Sequence, residues 1–392
     1  MSNQRIIIEA QKVYTPFEEL QNAAVELQGA RILRVGNAEG PSTAPLKLKC
    51  HALGPGFVDV QVNGAGGIDA AQVGDKGLDS ISSTLARFGV TGFLPTVITA
   101  PESDLLQSLN ALSAAMERPL PGAQAVGIHL EGPFLNPAKR GAHPLNAIRL
   151  PNLDLFKKLQ HAARGRIVYL TLAPELPGSL ELIVHAREKL GLPVLSMGHS
   201  DATYQQAVDG MHAGCRFATH TFNAMHEFHQ REPGLLALIL NEPGMRASII
   251  ADGIHVHPSL VRLFLKTKSA SRAVLTTDSI SAAGMPDGVH RLGAMTIEVK
   301  DGVCRNQEGT LSGSTLTMDR AARNAHQWSG MTWPEIFQMS SYNPADALGA
   351  GGRKGTISAG ADADLVLMNE RMEVECTVVA GRIVYEKSSR VK

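Results

Sequence analysis

Between residues 57 and 277 the chain repeats one pattern eight times, a short apolar run followed by a helical or loop stretch. The runs cover 57–62, 92–97, 125–130, 167–172, 193–197, 216–219, 247–251 and 273–277. Several are apolar without alternation, as in parallel strands covered on both faces. Helical patterns lie between them at 102–116, 180–190, 203–211 and 258–267. Eight strand–helix units over roughly 220 residues fit a closed (β/α)8 barrel. An open doubly wound sheet is the structural rival. No GxGxxG fingerprint follows an early strand, however, and no Walker A pattern appears. Gly64-Ala65-Gly66-Gly67 reads as a turn.

The two ends have another texture. Short apolar runs and polar turns alternate at 6–8, 24–27 and 32–35, and again at 364–368, 373–379 and 383–385. Neither end is long enough to hide a sheet face, but together they suffice, because chain termini often lie close together. The expected architecture is therefore α/β: a TIM-like barrel at 55–345, with a small β-sandwich domain built from 1–54 and 346–392. After Asp278 a β-like piece is expected at 294–299, with helices at 314–327 and 333–339. Asn343-Pro344-Ala345 should stop or restart a helix.

Charge and composition narrow the function. Lys plus Arg and Asp plus Glu number 37 each, and only 5% of residues are aromatic. A neutral chain with few stacking rings is a poor nucleic-acid binder. The N-terminus lacks the apolar core of a signal peptide, and no run approaches a membrane span. Cys50, Cys215, Cys304 and Cys376 are too widely spaced for a zinc knuckle or a CxxC pair and read as free thiols. A cytoplasmic enzyme with no membrane or nucleic-acid partner is expected.

Polar residues cluster where the apolar runs end, which in a barrel is the catalytic mouth. The third run ends in His129-Leu130-Glu131, the fifth in Gly198-His199-Ser200, the sixth in His220-Thr221-Phe222-Asn223, and the eighth in Thr277-Asp278. Barrel closure would bring Glu131, His199 and His220 together. One carboxylate and two imidazoles suit a divalent ion of the zinc type, with iron, cobalt and manganese also compatible. Such an ion acidifies water, and Asp278 would stand beside it as a base. His129 shares a strand face with Glu131 and reads as a supporting residue at most. His226 and His229 have a ligand-like spacing but no third partner. His255 and His257 follow the seventh run, and at least one should face the mouth. Arg231, and the exposed amides at Asn223 and Ala224, could hold an anionic group.

The chain resembles the amidohydrolase superfamily of metal-dependent barrels and, within it, the family of N-acetylglucosamine-6-phosphate deacetylases. The likeness rests on Pro55-Gly56-Phe57-Val58-Asp59, Gln61-Val62-Asn63-Gly64, His129-Leu130-Glu131-Gly132-Pro133-Phe134, Gly141-Ala142-His143 and Gly198-His199-Ser200. It continues in His220-Thr221-Phe222-Asn223-Ala224-Met225, Arg231-Glu232-Pro233-Gly234, Ala251-Asp252-Gly253-Ile254-His255, Thr277-Asp278, Leu311-Ser312-Gly313-Ser314 and Asn343-Pro344-Ala345. Many superfamily members carry an HxH metal pair on the first strand. Gln61 and Asn63 stand at those places here, and Ala173-Pro174-Glu175 offers no lysine as a bridge, so the resemblance implies one ion per subunit. It further implies hydrolysis of the acetamide of N-acetyl-D-glucosamine 6-phosphate to D-glucosamine 6-phosphate and acetate. Glu131, His199 and His220 would be the metal ligands and Asp278 the general base and acid. His143 or His255 would polarise the carbonyl or hold the sugar. Asn223, Ala224, Arg231 and His255 would bind the phosphate, and Ala142, His143, Leu311, Ser312 and Gly313 the sugar. Family members are dimers, and Arg231 would reach across the interface. Two other readings stay open: a mononuclear amidohydrolase acting on a different N-acyl or cyclic amide, and a barrel without catalytic activity.

Overall fold

The computed structural model describes residues 5–37, 46–74, 76–292 and 295–388. Its centre is a barrel of eight parallel strands: β1 (Phe57–Val62), β2 (Val90–Ile98), β3 (Ile128–Glu131), β4 (Ile167–Leu172), β5 (Val194–Met197), β6 (Phe217–Ala218), β7 (Arg246–Ile250) and β8 (Ala273–Thr276). They pair in sequence order. The expected run at 125–130 is split. Gln124–Ala125 pairs separately with β2, and the break falls at Gly127, where a Cβ would come within 2.2 Å of the Val168 side chain.

Among the described residues the helices around the barrel are α1 (Gly77–Ala86), α2 (Glu102–Ala115), α3 (Leu153–Ala162), α4 (Ser179–Glu188), α5 (Tyr204–Ala213), α6 (Gly234–Asn241), α7 (Pro258–Lys268) and α8 (Met318–Ser329), followed by the short α9 (Trp333–Phe337) and α10 (Asn343–Ala347). Local chemistry fixes several starts. Thr203 and Gln206 exchange hydrogen bonds with each other's backbone N–H, a capping box that opens α5. Pro258 occupies the first position of α7, where a missing N–H costs nothing. Apolar residues three and four apart, such as Leu105, Leu109 and Leu112 on α2, turn inward and form the main core. A second, smaller core of Val60, Leu94, Tyr169, Val194, Phe217 and Val274 comes from six of the barrel strands.

Closure between β8 and β1 is made largely by one side chain. The backbone contributes a bridge from Val62 to Ser279, and the Asn63 and Gly64 N–H groups both donate to Ser279 O, at 2.7 and 3.1 Å. Fully buried Asp59 accepts from Thr276 Oγ1 at 2.9 Å, Thr277 Oγ1 at 2.5 Å and Thr277 N–H at 3.2 Å. Burial lifts its pKa to about 6, against these hydrogen bonds.

The two termini meet in one seven-stranded sheet. Arg5–Tyr14, Glu19–Gln28, Arg31–Asn37 and Leu46–Pro55 are joined by Leu365–Met368, Val374–Val379 and Arg382–Glu386. The sheet curls over its own core, which includes Ile8, Val25, Leu27, Leu365, Leu367 and Val378. Its far strand returns to the 360–363 segment, with Ile32 N–H donating to Ala361 O at 2.9 Å. The layers of the expected sandwich are thus continuous. Three antiparallel strands, Gly288–Leu292, Met295–Lys300 and Val303–Asn306, follow β8. The strand expected at 294–299 is the second of these, and Ala294 lies outside the described residues.

Candidate active site

Glu131 is the last residue of β3, and His199 and His220 each lie two residues past the ends of β5 and β6. Both histidines have left-handed backbone, φ 48° and 31°, which non-glycine residues rarely adopt. Backbone hydrogen bonds on either side hold these bends. Asn136 N–H donates to His199 O at 3.0 Å, and Thr221 N–H to Ser248 O at 2.8 Å. Phe222, Ala224 and Asp278 share the left-handed region, so much of the chain's unusual backbone lies at this mouth.

Glu131 Oε1 lies 3.0 Å from His220 Nε2 and 3.3 Å from His199 Nε2, and the two nitrogens are 3.1 Å apart. All three residues are buried. His199 Nδ1 faces Lys139 O at 2.9 Å; a carbonyl only accepts, so Nδ1 carries the hydrogen and Nε2 is bare in the neutral ring. Burial would raise the Glu131 pKa, but the two imidazoles hold the carboxyl well below the usual range. Two ring nitrogens and a carboxylate oxygen facing one point, dry and mutually crowded, fit a divalent cation. Among the described residues no other group of three such side chains forms a comparable cluster.

Two carboxamides on β1 and just beyond it support the acids. Gln61 Nε2 donates to Glu131 Oε1 at 2.9 Å while its Oε1 accepts from Thr219 Oγ1 at 2.6 Å. Asn63 Nδ2 donates to Asp278 Oδ1 at 2.7 Å. Burial, and then the charge on Glu131, push the Asp278 pKa up to about 7.

His143 and His255 also face the mouth, each with one ring nitrogen fixed. Burial and the neighbouring His199 push the His143 pKa down to about 3, so its ring is neutral. Thr99 N–H donates to its Nδ1 at 3.3 Å, which leaves the hydrogen on Nε2, 4.0 Å from Glu131 Oε2. His255 Nδ1 donates to Asp252 Oδ2 at 2.6 Å.

These residues line a cavity of about 470 Å³, together with Ala142, Asn223, Ala224, Leu311 and Gly313. Leu292, Thr310 and Leu311 bring the segment after β8 over it. Other expectations meet different fates. The Asn223 N–H already donates to His220 O at 3.0 Å and is not an open anion donor. Arg231 is exposed on the 227–231 loop and does not line the cavity of its own chain. Ser312 is buried behind the lining, its N–H donating to Cys304 O. His129 sits beneath Glu131, its Nε2 2.8 Å from Thr171 Oγ1 and its pKa lowered by burial to about 4. His226 pairs with Asp201 at 2.9 Å, His229 is exposed, and His257 caps α7. Sequence reasoning passed over Lys139, Thr99 and Asp252. Asp252 lies inside a motif noted for His255, Lys139 falls between the 129–134 and 141–143 motifs, and Thr99 had no signal.

The amidohydrolase family model matches residues 52–384. The chain is 37% identical to the N-acetylglucosamine-6-phosphate deacetylase of Bacillus subtilis (strain 168) over 386 residues, 97% of each chain. It is 35% identical to the N-acetylgalactosamine-6-phosphate deacetylase of Escherichia coli O157:H7, over 84% of this chain and 86% of that one. Among solved structures it is similar to a mutant N-acetyl-D-glucosamine-6-phosphate deacetylase from Mycobacterium smegmatis in complex with N-acetyl-D-glucosamine-6-phosphate. That match has a TM-score of 0.92 and 32% identity, covering 97% of this chain and 99% of that one.

Proposed function

The chain belongs to the amidohydrolase family, and from that membership we propose that it hydrolyses the acetamide of N-acetyl-D-glucosamine 6-phosphate to D-glucosamine 6-phosphate and acetate. The observation that carries this reading is the meeting of Glu131, His199 and His220 with Asp278 and His143 in one buried mouth. The likeness to deacetylases along nearly the whole chain supplies the substrate.

Glu131, His199 and His220 would hold one divalent ion, zinc in this proposal. When bound, such an ion supplies Lewis acidity that lowers the pKa of water. Asp278, aimed by Asn63, takes a proton from the attacking water. The water oxygen bonds to the acetamide carbon, the C–N bond breaks, and Asp278 returns the proton to the departing nitrogen. His143 presents Nε2–H to the carbonyl oxygen, where negative charge develops. His255, oriented by Asp252, binds the substrate beside it. The Leu311–Gly313 backbone lies against the sugar. We further propose a homodimer in which Arg231, on its exposed loop, reaches the neighbouring cavity and the substrate's phosphate. Among the described residues no helix is long and apolar enough to cross a membrane.

The test is acetate release by the metal-loaded protein from N-acetylglucosamine 6-phosphate, its galactosamine epimer and unphosphorylated N-acetylglucosamine. The first substrate should be turned over fastest. Equal turnover of the phosphorylated and free sugars would remove the phosphate from the reading, and no acetate from any of them would end it.

A further inference from the structure

Lys139 is the one lysine or arginine among the described residues that lines the cavity. Its position is fixed by the site itself, because its carbonyl oxygen accepts the Nδ1–H of His199 at 2.9 Å. The side chain is largely covered, 23% exposed, and its Nζ lies 3.3 Å from Asp201 Oδ1. Asp201 has a second partner in His226 Nδ1, at 2.9 Å. The remaining charged side chains of the cavity wall are Glu131, Glu227 and Asp278, all acidic. A dianionic phosphate entering this mouth would therefore meet three carboxyl groups and one ammonium from this chain, with Arg231 outside the lining.

We propose that Lys139 is the phosphate-binding cation contributed by the same chain as the catalytic residues, and that it exchanges Asp201 for the substrate's phosphate. This rests on the sugar-phosphate reading above. An ammonium on a flexible stem suits the exchange, since it binds phosphate as a point charge and needs no fixed bidentate geometry. His226 remains on Asp201 after Lys139 leaves, so the carboxylate is not stranded. Binding is then selective for a phosphorylated sugar, and the selectivity originates next to a metal-site histidine.

The experiment compares wild type, Lys139→Met, Lys139→Arg and Asp201→Asn, each checked for bound metal and circular dichroism, on phosphorylated and free N-acetylglucosamine. Lys139→Met should raise KM for the phosphorylated sugar about 10- to 100-fold, the effect of deleting one charge-assisted hydrogen bond, with kcat within a few-fold. The preference for phosphorylated over free sugar should fall by the same factor, and inhibition by inorganic phosphate should weaken in parallel. Lys139→Arg should recover most of the loss. Asp201→Asn, which keeps the side chain's shape, should lower KM for the phosphorylated sugar because Lys139 no longer leaves a carboxylate. If Lys139→Met fails to fold, the Asp201→Asn result decides: a higher or unchanged KM overturns the proposal. An unchanged KM in a folded Lys139→Met, or an equal loss on both sugars, also overturns it. If wild type itself releases no acetate from the phosphorylated sugar, the functional reading falls and this proposal falls with it.

Discussion

Replacing Asp278 by asparagine tests the proposed general base apart from the proposed metal site. The carboxylate is half-buried, takes one hydrogen bond from Asn63 Nδ2 at 2.7 Å, and makes no hydrogen bond to Glu131, His199 or His220. Asparagine preserves the volume and can still accept from Asn63 through its own oxygen, so the cavity should keep its shape. What disappears is the ability to take and return a proton. General acid–base catalysis contributes about 10²- to 10⁴-fold, so kcat should fall by that factor, about 2.7–5.4 kcal/mol of barrier. Stability should move the other way in metal-free protein. The folded pKa is about 7 against an ordinary 3.8, so the folded state binds this proton more tightly than the unfolded chain. Its ionisation therefore opposes folding increasingly as pH rises from 4 to 7, by up to about 4 kcal/mol at about 1.36 kcal/mol per pKa unit. Metal-free Asp278→Asn should thus melt above metal-free wild type at pH 8 and level with it at pH 4. A bound cation lowers the Asp278 pKa and shrinks that difference. In the loaded wild type, activity should fall as pH drops through the Asp278 pKa, below about 7. The assays are acetate release across pH 5–9, elemental analysis and calorimetry. Near-normal turnover by metal-loaded Asp278→Asn would refute the base assignment, and loss of metal from the variant would refute the separation of the two roles.

Three further outcomes are expected. His199→Ala or His220→Ala should reduce bound divalent metal by about tenfold or more on elemental analysis, because two donors do not hold such an ion tightly; full retention would contradict the ligand set. His143→Ala should lower kcat by about 10²- to 10³-fold with metal retained, the effect of removing one donor to a developing oxyanion; loss confined to KM would assign the residue to binding alone. Thr276→Val, which keeps side-chain shape but removes a donor to buried Asp59, should destabilise the barrel by about 1–3 kcal/mol, read as a lower Tm; an unchanged Tm would show that the seam does not depend on Asp59.

The fold was legible because parallel strands are short, apolar and regularly spaced. The expected runs at 57–62 and 167–172 coincide with β1 and β4, and the other six overlap their strands. Helices were less legible: α6 (GLLALILN) is apolar on nearly every side and shows no clear period, and α1 and α3 lie outside the expected patterns although each buries one face, Leu78, Ile81 and Leu85 on α1 and Phe156, Leu159 and Ala162 on α3. Metal-site candidates were legible because barrel closure depends on strand order, which sequence displays. Their settings were not. Thr99 on His143, Thr219 on Gln61 and Asp59 across the seam are contacts between distant elements, and no local spacing encodes them. The phosphate expectation met a subtler difficulty. A backbone N–H is available to a ligand only if the fold leaves it unpaired, and at Asn223 a tight turn onto His220 O uses it.

Gln61 and Asn63 each serve one carboxylate of the site. Imidazoles at these two places would bring further ring nitrogens toward Glu131 and Asp278, with lone pairs free to bind a cation in the neutral rings. Carboxamides reverse the polarity. Each presents an N–H to one carboxylate, Gln61 to Glu131 at 2.9 Å and Asn63 to Asp278 at 2.7 Å. The hydrogen bonds aim the carboxylates and partly compensate their burial without adding charge. Glu131 is left oriented toward His199 and His220, and in the metal-free site burial and the charge on Glu131 raise the Asp278 pKa. Any cation in this mouth lowers the Asp278 pKa, and a second one would lower it further. The proposed single-ion site and acid–base aspartate both rest on these two amides, which orient each carboxylate without adding a charge.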